Sequence, residues 1–290
     1  MKRLLIIGCG DVARRALPRL RGCYAVSALA RSAEASGRLA ALGVHPIAGD
    51  LDRPETLAGI AGGADLVLHS APPQAEGAGD ARSRDLIAAF ERGRMVPQRI
   101  VYLSTSGVYG DCAGAWVDES RPVNPGNERA ARRADAEAVL AEWCALRGVA
   151  LAVLRVPGIY ASDRLPVERL KKAVPALRPE DDVFTNHIHA DDLAEIACVA
   201  LEREDATGSF NASDDSELRM GEYFDLVAER LGLPRPPRIS RAQALERLSS
   251  LQLSFMTESR RLSNRRMKDI LGIRLRYPTV YEGVPRAITA

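Results

Sequence analysis

Short apolar runs alternate with stretches of helical spacing through the first two-thirds of the chain. Leu4 to Ile7, Ala25 to Leu29, Val44 to Ala48, Leu66 to His69, Ile100 to Ser104 and Leu151 to Val156 read as strands. Runs this apolar suit strands buried on both faces, and their alternation with helices predicts an α/β fold with a doubly wound parallel sheet. Between the last two strands, Asn127 to Arg147 carries Ala130, Ala134, Ala138, Ala141 and Ala145 at helical spacing, a small-residue face expected to lie on the sheet. Beyond Gly158 the pattern loosens. Pro157, Pro166, Pro175 and Pro179 interrupt it, Asp191 or Asp192 is expected to cap a helix ending near Glu202, and Ser209 to Asn211 reads as a final strand. From about residue 213 the chain is helix-rich, with a loop at LGLPRPPR. The expected division is a sheet domain of residues 1–160 and 190–212 and a smaller lobe of residues 161–189 and 213–290. No internal repeat or low-complexity tract breaks this pattern.

The first strand leads into a glycine loop and then a helix, KRLLIIGCGDVARRAL. Gly8, Gly10 and Ala13 fill the G-x-G-x-x-G/A positions of a dinucleotide site. Each meets a steric need, since Gly8 makes the tight turn, Gly10 lets a phosphate reach the backbone, and Ala13 lets the helix pack closely on the strand. The free N–H groups at the helix start, around Asp11 and Val12, then face the anion. The second strand ends in LARSAE, so Arg31 and Ser32 stand where an NAD site places a carboxylate, about 20 residues past the glycines. An arginine fork suits a 2′-phosphate, so NADP is expected over NAD.

Bulk composition adds exclusions. A chain of 290 residues with 46% hydrophobic content buries a large core, and a net charge of +2 offers no overall pull toward nucleic acid or acidic lipid. Five cysteines, odd in number and without a C-x-x-C pair, suggest neither a disulfide framework nor a zinc knuckle, and fit a reducing cytoplasm. The KRLLIIGC start has an apolar stretch far shorter than the roughly 7 to 15 residues of a secretory signal, and no run approaches the ~18 of a membrane span. The only lysines are Lys2, Lys171, Lys172 and Lys268; every other basic residue is arginine.

The segment VYLSTSGVYGD, residues 101 to 111, resembles the extended short-chain dehydrogenase/reductase family, the NAD-dependent epimerase/dehydratase group. GDLDRPETL, HSAPP, a DES stretch, LRVPGIYAS and HIHADDLAEI follow the family's order over nearly the first 200 residues, while the last 80 match loosely. The resemblance implies that Asp50 and Leu51 border the adenine. Ser70, Ala71 and Pro72 would line the dinucleotide channel, with Ser104, Pro157, Gly158 and Ile159 near the nicotinamide. It places Thr105 where the family has a catalytic Ser or Thr. The family also uses a Tyr-x-x-x-Lys pair on the next helix, where the cation lowers the phenol's pKa from about 10. Counting back from Glu137, those positions hold Arg129 and Arg133. No shift of frame helps, because no tyrosine lies between Tyr109 and Tyr160.

A guanidinium gives up no proton near neutrality, so Arg129 cannot act as the phenol does. It is expected to serve substrate or the electrostatics of its helix face. Arg133 is expected to hold the nicotinamide ribose. The proton route would then run through Thr105 with water, Tyr109 or Tyr160. His187 and His189 before Asp191 and Asp192 form a metal-like cluster, but the family has this junction without metal, and no metal is expected. The basic run Arg260, Arg261, Arg265, Arg266 and Lys268 could meet a phosphorylated substrate or form a wet helix face.

Two functions are compatible with these residues. One is an NAD(P)-dependent oxidoreductase or epimerase acting on a sugar-like or nucleotide-linked hydroxyl or carbonyl. The other is a non-catalytic NADP(H)-binding sensor that has kept the glycine loop and given up turnover. A small-molecule substrate, no nucleic-acid or membrane partner, and a monomer or homodimer are expected.

Overall fold

A computed structural model describes residues 1–93, 95–254 and 256–286. Seven strands form one parallel sheet: β1 (Arg3–Ile7), β2 (Ala25–Ala30), β3 (His45–Ala48), β4 (Leu66–His69), β5 (Arg99–Thr105), β6 (Ala150–Val156) and β7 (Gly208–Asn211). Their spatial order is β3-β2-β1-β4-β5-β6-β7, so the winding direction reverses between β1 and β4. Ligands of such sheets bind at the carboxyl ends of the strands beside that reversal.

Helices cover both faces. One layer contains α1 (Asp11–Cys23) and α5 (Ala190–Glu202), whose Val12, Ala13, Leu17, Leu193 and Ile196 share a buried cluster with Leu4, Ile6, Val101 and Leu154. The other contains α3 (Ala81–Glu91) and α4 (Glu128–Arg147), whose Leu86, Phe90, Leu140 and Trp143 bury Leu5, Ile7, Ile100 and Val153. A short α2 (Ala33–Ala41) follows β2, capped by the Ser32 hydroxyl. No helix among the described residues is long and apolar enough to cross a membrane.

The predicted strands lie within a residue or two of the observed ones, but two helix details differ. The stripe of Ala138, Ala141 and Ala145 on α4 is exposed, and the buried face is instead Ala130, Arg132, Ala136, Glu137, Leu140, Trp143 and Cys144. Trp143 and Leu140 remove more apolar area from water than methyl groups do, and Glu137 meets a buried partner described below. Helix α5 is capped by His189, whose Nδ1 accepts from the Asp191 N–H (3.2 Å), and not by Asp191 or Asp192. Asp192 is turned to the Arg276 and Tyr277 N–H groups at 2.8 and 2.9 Å. Asp191 pairs with Arg15 at 2.7 Å.

Beyond the sheet's carboxyl edge, Tyr160, Leu170 and Ala176 pack with Leu218, Tyr223, Phe224, Val227, Val280 and Val284. Most of this second cluster comes from α6 (Met220–Leu231) and the chain after it. Short ladders tie it together, among them Gly158–Tyr160 with His187–His189 and Trp116–Val117 with Arg261–Leu262. Two- and three-residue ladders are too short to show a period in sequence.

Asp214 lies beneath this region, 4% exposed, with one carboxylate oxygen accepting from the Ser216 N–H (2.9 Å) and the other unpartnered among the described residues. Burial, reinforced by Asp215 and Asp192, pushes its pKa from 3.8 up to about 7. The folded state therefore holds this proton more tightly than the unfolded chain. Its contribution to stability is complete below about pH 4 and is lost as pH rises through about 7. Asp214→Asn should flatten the decline in thermal midpoint between about pH 4 and 7, read by calorimetry; a decline as steep as the wild type's would assign it to other groups.

Candidate active site

The glycine loop is held against the β4 loop. The Ala71 N–H donates to the Ile7 carbonyl at 2.9 Å and the Ser70 hydroxyl to the Gly8 carbonyl at 2.5 Å. Gly8 has φ +88°, and a Cβ there would lie 2.6 Å from the Ala71 nitrogen, so a side chain fits neither the turn nor the space. Gly10 differs. Its backbone is extended (φ −81°, ψ −160°) and a Cβ would meet no protein atom within 4 Å. That open space beside the start of α1 is what a pyrophosphate needs.

A cavity of about 760 Å³ opens from this point, lined by Gly8, Gly10, Arg31, Asp50, Leu51, Ser70, Ala71 and Pro72 among the expected residues. It also takes in Arg14, Arg38 and Arg82, which sequence reading did not single out. Arg38 is paired with Glu34, and Arg82 with Asp52 and the Pro72 carbonyl. Arg14 and Arg31 have no side-chain hydrogen bond or ion pair among the described residues. Arg14 was legible in principle, since it lies one residue past Ala13 in the first turn of the helix that follows the glycine loop. The side chains of several other expected cofactor residues are engaged within the fold. Asp11 turns its carboxylate to Arg15 (3.1 Å) and Arg164 (2.9 Å), Ser32 caps α2, and Val12 and Ala13 pack in the core.

A second cleft of about 770 Å³ lies at the carboxyl ends of β5 and β6, lined by Thr105, Ser106, Arg129, Pro157, Gly158, Ile159, Phe184 and Met220 among others. Thr105 caps the short turn Ser106–Tyr109, its oxygen accepting from the Gly107 N–H at 3.2 Å. Its own proton stays free to be donated. Arg129 is exposed at the start of α4, and Arg133 turns inward, donating to the Leu103 carbonyl (2.6 Å) and the Tyr102 hydroxyl (3.1 Å).

Both tyrosines expected on the proton route lie outside this cleft. Tyr109 is 1% exposed, with its hydroxyl donating to Asn211 (2.8 Å) and accepting from Arg155 (2.9 Å). Tyr160, also 1% exposed, donates to the Thr279 carbonyl (3.2 Å) and packs on His187 and His189. Burial raises the pKa of both. Ser104 too is withdrawn: its hydroxyl donates to Glu137 at 2.5 Å. Glu137 in turn receives Arg155 at 2.8 Å, completing a buried polar chain from α4 to β7. The signal missed was Arg155, a charged residue inside an apolar strand, which requires a buried counter-charge.

The basic run near the C-terminus is largely engaged. Arg260 pairs with Glu258, Arg261 donates to the Gly114 carbonyl, Arg266 to Ser209 and Thr207, and Lys268 pairs with Asp215.

A family model described as NAD(P)H-binding matches residues 8–204. The chain is 28% identical over 253 residues, 80% of its length and 74% of the relative's, to the 4-hydroxy-2-methyl-3-oxo-4-farnesyl-3,4-dihydroquinoline-1-oxide ketoreductase of Stigmatella aurantiaca. Among solved structures it resembles a functionally unknown conserved protein from Silicibacter pomeroyi DSS, at 29% identity and a TM-score of 0.78, covering 98% of this chain and 97% of that one. It also resembles a putative NAD-dependent epimerase/dehydratase from Methylobacillus flagellatus, at 24% identity and a TM-score of 0.71, covering 97% and 96%.

Replacing Gly10 with Val should abolish NADPH binding while leaving the thermal midpoint nearly unchanged, because the new side chain meets only the space meant for the ligand. Calorimetry with and without NADPH checks both halves. Normal binding by the folded variant would show that the loop is structural only.

Proposed function

The chain belongs to the NAD(P)H-binding family, and on that premise we propose that it is an NADP(H)-preferring oxidoreductase acting on a carbonyl or hydroxyl held beside Thr105. The observation that carries the cofactor half is the open Gly10 cradle within a cavity whose unpartnered cations, Arg14 and Arg31, suit phosphate. When bound, the cofactor supplies the hydride. Arg133 holds the ribose hydroxyls by exchanging its bonds to Tyr102 and Leu103, and Thr105 donates its hydroxyl to the reacting oxygen. Since neither Tyr109 nor Tyr160 lines the cleft, the proton comes from water relayed at Thr105. General acid–base help contributes roughly 10²–10⁴ in rate, so a water route implies slow turnover.

The ketoreductase relative supports carbonyl reduction ahead of epimerisation. The described residues within 161–189 and 213–290 would act as the substrate lobe over the cleft. The expectation of a sugar-like or nucleotide-linked substrate rests on the family resemblance, since the C-terminal basic run is mostly committed to protein partners.

Fluorescence titration should show NADPH bound about tenfold or more tightly than NADH, with Arg31→Ala bringing the two toward equality. In the same titration Arg133→Ala should weaken NADPH binding by about 1–3 kcal/mol, the scale of a lost charged hydrogen bond. Equal affinities in the wild type would overturn the NADP preference.

The inward turn of Arg133 and the arginine at the phenol position favour a second reading, a cofactor-binding sensor without turnover. The double variant Arg129→Tyr, Arg133→Lys separates the two. A gain of carbonyl reduction over an inert wild type would favour the sensor. A wild type that turns over faster than the double variant establishes the water route.

A further inference from the structure

Four arginines line the cleft beside Thr105, and three are already held by the protein. Arg132 donates to the Gly77 carbonyl at 3.0 Å, Arg164 pairs with Asp11 at 2.9 Å, and Arg260 pairs with Glu258 at 2.9 Å and donates to the Gly110 carbonyl at 2.7 Å. Arg129 has no hydrogen-bond or ion-pair partner among the described residues. The acidic groups in the same wall do not neutralise it. Glu128 faces Arg132 at 3.5 Å, and Glu258 is shared between Arg260 and Asn127. Ile159, Phe184 and Met220 give the cleft an apolar side.

We propose, resting on the oxidoreductase reading above, that the substrate is a carbonyl compound with an anionic group directly beside the carbonyl and an apolar body, a 2-oxo acid being the simplest member. The Arg129 guanidinium takes the carboxylate through two parallel donors, the geometry at which arginine excels. The carbonyl oxygen then meets the Thr105 hydroxyl, and the apolar body lies toward Phe184 and Met220. With the reduced cofactor bound, the carbonyl carbon would accept its hydride and the C=O π pair would move to oxygen; Thr105 would pass its proton to that oxygen and recover one through water from bulk solvent, the one proton the reduction consumes, leaving the oxidised cofactor and the hydroxy acid. A fixed positive charge beside the oxygen stabilises the negative charge developing there without transferring a proton. This is the part of a phenol's role that an arginine can perform.

A diphosphate-bearing substrate would need free cations farther into the C-terminal lobe. Three arginines of that lobe are occupied: Arg219 donates to the Pro179 and Asp182 carbonyls, Arg241 to Asp181 and Met256, and Arg261 to Gly114. A cation unpartnered among the described residues, in the same cleft as the Thr105 hydroxyl, and an apolar wall fit a small anionic amphiphile better.

The test compares phenylpyruvate with 1-phenyl-2-propanone, which carries a methyl group in place of the carboxylate. Turnover is followed by NADPH absorbance, and binding of each compound, with and without NADP⁺, by calorimetry. Phenylpyruvate should win in kcat/KM by about 100-fold and bind at least about tenfold more tightly. Arg129→Ala should erase both preferences without changing NADPH affinity, and Arg129→Lys should keep part of them. Arg129-dependent binding of phenylpyruvate without turnover would support the anion site and sink the oxidoreductase reading alone. No binding of phenylpyruvate, binding indifferent to Arg129→Ala, or equal use of the methyl ketone would overturn the inference.

Discussion

The close approach of two loops at the reversal of the sheet is the constraint on which the site depends. β1 and β4 lie side by side, with Ile7 opposite His69, and the chain leaves them toward opposite faces. The loops must therefore separate, and what keeps them together at their root is the contact of Gly8 with Ala71 and the hydrogen bonds from Ser70 and Ala71 back to the first loop. Only a residue without a Cβ satisfies both the positive φ and the distance of 2.6 Å. Once the root is closed, α1 starts beside the space between the loops, and that space is the first cavity, the proposed cofactor site. The same helix start carries Asp11, whose pairs with Arg15 and Arg164 tie the first cavity to the wall of the second. One steric condition near residue 8 thus sets the relation between the two halves of the site.

Strands buried on both faces are legible because nothing but continuous apolar sequence can occupy them, and the glycine loop is legible because its spacing encodes steric needs. The parallel sheet between helix layers and the loop at the root of the first cavity follow from those two signals, while Asp50 and Ala71 in its lining were expected only from the family resemblance. The details that sequence did not reveal are those decided by competition between neighbours. Helix α4 could rotate its alanine stripe or its Leu140 and Trp143 face to the sheet, and the larger apolar area prevailed. Asp191 and Asp192 could each cap α5, but both found partners elsewhere, an arginine and a pair of backbone N–H groups, and the histidine before them took the cap. Tyr109 and Tyr160 looked chemically apt. Their hydroxyls were instead drawn into the fold, one by Asn211 and Arg155 and one by the Thr279 carbonyl.

The arginine-rich composition has a structural cause that bears on how its exceptions are read. A guanidinium carries five donors, and this chain spends them on carbonyl groups that irregular backbone leaves unpaired. Arg99 reaches the carbonyls of Ala206 and Glu204, Arg219 those of Pro179 and Asp182, and Arg266 those of Ser209 and Thr207. Lysine, a single mobile point charge, would satisfy fewer of them and in less fixed geometry. Against that background an arginine that faces a cavity and touches no protein acceptor is informative, because its neighbours show how readily such a side chain finds one. Among the described residues Arg14 and Arg31 stand so in the first cavity and Arg129 in the second. Both cavities thus suit anions on the proposed reading, the first by a glycine loop that leaves room for phosphate and the second by a cation at the position where the family resemblance expects a phenol. On the proposed reading such a site would trade a proton donor for a fixed charge, and its chemistry would favour substrates whose negative charge that cation can hold from the outset.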